Sequence, residues 1–145
     1  MRLLHARPVR SCAAVLGVIV LAGSTGAAID DNKAAKPSVS LKASPQVGFS
    51  PLRVVLTAEL KGGANDFQEF YCPTIEWEWG DFTVSTAEAD CDPYSPGKSE
   101  IKRRYTVEHR FKNPGAYKIV LRLKKGTKLV ASANTQVQVR SGLGQ

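Results

Sequence analysis

No apolar run in this chain reaches the roughly 20 residues that a membrane-spanning helix needs. The stretch from Cys12 to Ala22 falls well short of that length. Histidine is scarce, with His109 alone beyond the first 28 residues, and there are only three cysteines. A zinc centre needs several soft ligands together, which two thiols without a nearby histidine do not supply. No loop carries the regular oxygen-ligand spacing of a dedicated calcium motif. Helical periodicity is absent after residue 28, and no nucleophile stands in a recognisable catalytic setting. These absences exclude a membrane-spanning helix, a helical bundle and the common hydrolase designs.

What is present begins with a tripartite leader. Arg2, Arg7 and Arg10 precede the apolar stretch, and Gly23 to Ala28 is a run of small residues. That order reads as a secretory signal peptide over residues 1–28, cut after Ala27 or Ala28. The three arginines leave with it, lowering the net charge from +7 to +4. A balance so modest suits an exported, soluble domain, and no nucleic-acid partner is expected. Cys12 also leaves, so Cys72 and Cys91 remain as an even pair in an oxidising compartment. They are expected to form a disulfide worth about 3 kcal/mol by loop-closure entropy.

Residues 29–37 are polar and read as a leader, and residues 141–145 as a tail. Between them, over residues 38–140, apolar and polar side chains alternate in short runs. Ser38 to Ser44, Leu52 to Leu60, Thr74 to Gly80 and Glu100 to Phe111 all read as strands, the last regular only after Arg103, which falls on its apolar side. Pro45 to Pro51 reads as a loop, and Phe82 to Thr86 as a short strand. Past Pro114-Gly115, a strand with Tyr117, Ile119, Leu121 and Leu123 inward turns at Lys125 to Lys128. The last strand then sets Leu129, Ala131, Ala133, Thr135, Val137 and Val139 inward. Ala87 to Ser99 is too broken by proline and glycine for regular structure and reads as an insertion pinned by the disulfide. About seven such strands predict an all-β, antiparallel, immunoglobulin-like β-sandwich.

Three motifs stand in order: Trp77-Glu78-Trp79-Gly80-Asp81, His109-Arg110-Phe111, and Pro114-Gly115-Ala116-Tyr117 running on to Leu121. The chain in this respect resembles the PKD (polycystic kidney disease) domain family, whose marks are Trp-x-Phe-Gly-Asp-Gly, His-x-Tyr and Pro-Gly-x-Tyr-x-Val-x-Leu. The resemblance covers residues 38–139 and implies an immunoglobulin-like fold with spacer or adhesion roles. Trp77 is then expected between the sheets and Tyr117 at a corner, returning a hydrogen bond across the preceding loop. Two features depart from the family: Phe82 stands where its second glycine belongs, and the disulfide with its insertion is extra.

Several residues have both a functional and a structural reading. Asp81, with Glu88, Asp90 and Asp92, is a weak calcium candidate, against which stands a turn aspartate bonding local amides. His109 reads as a hydrogen-bonded structural histidine rather than a base. Phe67, Phe70, Tyr71 and Tyr94 lie in the segments that the disulfide joins. They form either an exposed ligand surface or a satellite core around the bridge. Lys102, Arg104, Arg110, Lys118, Arg122 and Lys124 read as a solvated face. Neither a cofactor nor a catalytic residue is expected. The function predicted is a non-catalytic, periplasmic or secreted domain that binds an envelope or extracellular protein, with a carbohydrate-binding module as the alternative.

Overall fold

In a computed structural model of the chain, residues 35–142 are described. The expected signal peptide lies outside them, as do the start of the leader and the last three residues of the tail. Eight strands occur in the described part: β1 (Ser38–Ser44), β2 (Val47–Phe49), β3 (Leu52–Lys61), β4 (Thr74–Glu78), β5 (Val84–Ala87), β6 (Arg104–Phe111), β7 (Gly115–Lys125) and β8 (Lys128–Arg140). One short 3-10 turn, Gln68–Phe70, interrupts the β3–β4 connection. The strands form two sheets, β1-β3-β6 and β2-β8-β7-β4-β5. This is the all-β sandwich that the alternation predicts.

Alternation places the core directly. Val54, Leu56, Ala58 and Leu60 on β3 face Ile119, Leu121 and Leu123 on β7 and Val137 and Val139 on β8, and all are buried. Side chains at every second position share one face of a strand, so these runs close on each other while their partners meet water. Burial of Val, Leu and Ile side chains contributes roughly 1.5–3 kcal/mol each relative to exposure.

Four details differ from the sequence reading. The segment read as a loop from Pro45 to Pro51 contains β2, which pairs with β8 in parallel, Val47 opposite Gln138. The sandwich is therefore not purely antiparallel. The short strand begins at Val84 rather than Phe82, because residues 80–83 are used in the turn. In the last strand, Lys124 pairs with Leu129 but Leu123 pairs with Ala131, leaving Val130 as an extra residue at a β-bulge. The bulge sends Leu129 outward, 51% exposed, and Val130 into the core. Arg103, lastly, does not disturb the apolar face. Its guanidinium turns to the loop after β3 and donates to the carbonyls of Gly62 at 2.9 Å and Gly63 at 3.1 Å and to Asn65 Oδ1 at 2.8 Å. One side chain thus satisfies backbone acceptors that the loop cannot pair itself.

Tyr105 on β6 carries the one buried side-chain polar atom without a hydrogen-bond partner among the described residues. The ring is 5% exposed. Burial pushes the phenol up to about 12. Ionisation is thereby resisted in the folded state and occurs near pH 10 in the unfolded chain, so this contribution is intact below pH ~10 and lost as pH rises towards 12. Denaturant melts at pH 8 and pH 11.5 should show Tyr105→Phe equal to or more stable than the parent at pH 8. At the higher pH it should retain about 2 kcal/mol that the parent loses.

Candidate functional site

Most of the candidate residues fall in two neighbourhoods. The first is built where β4 ends. Trp77 and Trp79 alternate along the chain, so both indoles face inward, their centroids 5.7 Å apart and nearly parallel. Trp79 lies just past the end of β4 but is as buried as Trp77. The His109 ring stacks on Trp79 at 4.0 Å with an 8° interplanar angle. Phe111 meets His109 edge-on at 4.7 Å, and Tyr117 stacks on Phe111 at 4.3 Å. Five rings, from β4 and the residue just past it, β6 and β7, make a continuous ladder between the sheets. At the corner formed by Pro114-Gly115, the Tyr117 hydroxyl donates to the Asn113 carbonyl at 2.8 Å.

Beside this ladder the chain reverses through residues 79–83, closed by the Trp79 amide donating to the Thr83 carbonyl at 3.1 Å. Gly80 has a φ of +76°, and a Cβ there would sit 2.7 Å from the Lys118 carbonyl oxygen, so only glycine fits. Asp81 Oδ1 accepts from the Thr83 amide at 3.0 Å and from the Thr83 hydroxyl, while Oδ2 lies 2.9 Å from His109 Nε2. Partial burial pushes the Asp81 carboxyl up, yet the bonds from Thr83 and His109 outweigh it and hold the group below the usual carboxylate range. Phe82 also adopts a left-handed conformation, φ +66°, which costs a bulky residue about 1–3 kcal/mol. The Trp79 indole N–H donates to Ser85 Oγ at 2.9 Å, fixing the start of β5.

The second neighbourhood is the disulfide end. Cys72 and Cys91 are bonded, with Cα atoms 6.3 Å apart. Phe70, grouped above with the ligand-surface aromatics, is fully buried. The 3-10 turn directs it into the core, where Phe67 packs against it edge-on at 5.7 Å. Tyr71 and Tyr94 are half-buried, with rings 5.6 Å apart and both hydroxyls engaged. Tyr71 donates to the Asp92 carbonyl at 3.0 Å and Tyr94 to the Asp66 carbonyl at 2.6 Å. These aromatics brace the insertion against the β3–β4 connection.

On the outer face of the larger sheet, the register sets Arg122 opposite Glu76. Arg122 bridges Glu76 at 3.1 Å and Glu78 at 2.6 Å, and Lys124 reaches Glu76 at 2.5 Å. Arg104 pairs with Glu59 at 2.6 Å on the other sheet. Part of the outward basic series is thus tied into cross-strand pairs that alternation alone did not reveal. Among the described residues no three His, Cys, Asp or Glu side chains converge as a metal site would require. Asp81 is occupied by Thr83 and His109, and Glu88 accepts instead from the Thr74 hydroxyl at 3.4 Å.

Comparison with solved structures fixes the architecture. The PKD domain of an M14-like peptidase from a Thermoplasmatales archaeon superposes with a TM-score of 0.50 at 13% identity, over 72% of this chain and 96% of that one. The fold is that of a PKD domain. A CARDB domain from Pyrococcus furiosus, determined in complex with di-metal ions, gives a TM-score of 0.48 at 11% identity, over 73% of this chain and 94% of that one. No protein-family model and no curated protein matches the chain. In this PKD-type sandwich the family-like motifs are core and corner elements: the ladder, the Gly80-Asp81 turn and the Tyr117 bond.

Because the Asp81 carboxyl is depressed in the folded state, its contribution is present above the unfolded value near 4 and is lost as pH falls through the folded value. Urea titrations from pH 7 to pH 2.5 should show Asp81→Asn less stable by about 1–2 kcal/mol at pH 7, with the gap closing in acid.

Proposed function

We propose that this PKD-type sandwich is an exported, non-catalytic module that binds a partner protein in the envelope or outside the cell. One observation carries the reading: the long insertion between β5 and β6 is largely exposed yet tied at several points to the β3–β4 connection. Four links fasten it, namely the Cys72–Cys91 bond, the Tyr71 and Tyr94 hydroxyls, and the Gly97 amide donating to the Asp66 carboxylate at 3.0 Å. A surface loop ordered before binding loses less conformational entropy on association, which favours affinity. The disulfide suits an oxidising compartment, in keeping with the signal-like leader.

The engagement of His109 with Asp81 and Trp79 supports a structural rather than a catalytic histidine. Burial of Phe70, together with the bonded hydroxyls of Tyr71 and Tyr94, weighs against an aromatic platform for carbohydrate.

The oxidised protein should capture a discrete protein from cell-envelope extract, and should not be retained on insoluble polysaccharides offered in parallel. Replacing both cysteines, Cys72→Ala with Cys91→Ala, should lower the unfolding free energy by about 3 kcal/mol. At a temperature where the variant is still folded, capture should also weaken. Retention on polysaccharide with no protein captured would overturn the reading.

A further inference from the structure

Phe82 combines strain with exposure. Its φ of +66° belongs to the region that favours glycine, and its ring is fully exposed at 106%. Nothing in the fold packs on the ring, so the domain's own stability does not account for it. After one intervening residue β5 begins, which pairs with β4 alone and forms one border of the larger sheet. All four β5 residues are exposed, Val84 at 59%. A shallow groove lined by Glu78, Gly80, Phe82, Thr83 and Val84 lies at the turn that joins β4 to β5.

The other borders carry the usual guards against strand addition. Lys42 stands on β1, Arg104 and Arg110 stand on β6, and β2 is three residues long. The β5 sequence, Val-Ser-Thr-Ala, has neither charge nor proline.

Charge identifies the occupant. Between Lys61 and Lys98 the chain has eight acidic residues and no lysine or arginine, and four of them, Glu69, Glu76, Glu78 and Asp81, are paired with basic side chains from other strands or the leader. Glu88, Asp90 and Asp92 follow β5, are exposed, and take part in no ion pair among the described residues. Pairing two copies along β5 in the fully overlapped antiparallel register, Val84 against Ala87, would carry Asp81 against Asp90 twice. A second copy is therefore disfavoured, and a cationic strand is favoured.

We propose that the free edge of β5, with the Phe82 ring as its anchor, receives an extended lysine- or arginine-bearing segment of a partner protein as an added strand of the sheet. Main-chain hydrogen bonds supply the affinity, the Phe82 ring packs on the added strand, and Glu88, Asp90 and Asp92 select its charge. The inference rests on the protein-binding reading and assigns it a surface.

The probe is an acetylated, amidated peptide of four Lys-Val repeats, measured by calorimetry at low ionic strength. Its controls are a Glu-Val analogue and a Lys-Val peptide N-methylated at alternate residues. Binding is expected for the first peptide alone. Phe82→Gly should weaken it about tenfold or more. The same substitution should leave the melting temperature equal to that of the parent or up to ~5 °C higher, since glycine relieves the strained φ. Asp90→Lys with Asp92→Lys should also reduce binding while the domain stays folded.

Equal binding of the Glu-Val or N-methylated peptide, unchanged binding by Phe82→Gly, or no binding at all would overturn the proposal. So would dimerisation abolished by Phe82→Gly in place of peptide binding. Envelope-protein capture that survives Phe82→Gly would remove this edge as the site while leaving the protein-binding reading intact.

Discussion

The contact between the Trp79 indole and the His109 imidazole, 4.0 Å apart and nearly parallel, fastens the two sheets at the end where the candidate surface lies. Trp79 extends from β4 in the larger sheet, and His109 stands on β6 at the border of the smaller one. Ring stacking alone contributes about 0.5–1.5 kcal/mol per pair beyond burial. Its wider effect comes from what each partner holds. His109 engages Asp81, Asp81 engages Thr83, and the Trp79 N–H engages Ser85, so sheet packing, turn and β5 are set together. Phe111 and Tyr117 carry the same stack onward to the Pro-Gly corner. The three PKD-like motifs thus correspond to one connected object in space.

Much of this was legible from alternation. Period-two runs locate the inward residues of β1, β3, β6 and β7 because a half-buried strand has no other way to separate apolar from polar side chains. The cysteine pair was legible from an even count beside a signal-like leader, and the corner tyrosine from the family resemblance. What escaped depends on contacts or on counting. A bulge adds one residue without changing composition, so Leu129 and Val130 exchange faces with nothing in the sequence to mark it. Strand β2 is three residues long and follows a proline, too short a run for periodicity to register. The pairing of Asp81 with His109 spans 28 positions, and Arg103 reaches a loop some forty residues earlier. Such links follow from topology rather than from any local pattern.

The disulfide end illustrates the same limit from the other side. Sequence placed Phe67, Phe70, Tyr71 and Tyr94 together, as the bridge requires, but did not separate wall from surface. The 3-10 turn decides it by turning Phe70 under the sheets. Two tyrosine hydroxyls then find main-chain carbonyls, as half-buried phenols generally do. The aromatic cluster becomes a brace for the exposed insertion.

Phe82 shows how a stable frame and a strained residue depend on each other. A left-handed phenylalanine persists only where neighbouring constraints leave the chain no cheaper path. Here Gly80 is pressed against the Lys118 main chain, the Trp79 amide closes the turn on Thr83, and the Asp81 carboxylate ties the residue on either side of Phe82 together. Loosening any of these would let residue 82 relax out of its left-handed conformation. The interactions that read as purely structural, from the Trp–His stack outward, are therefore what keep the exposed ring in position.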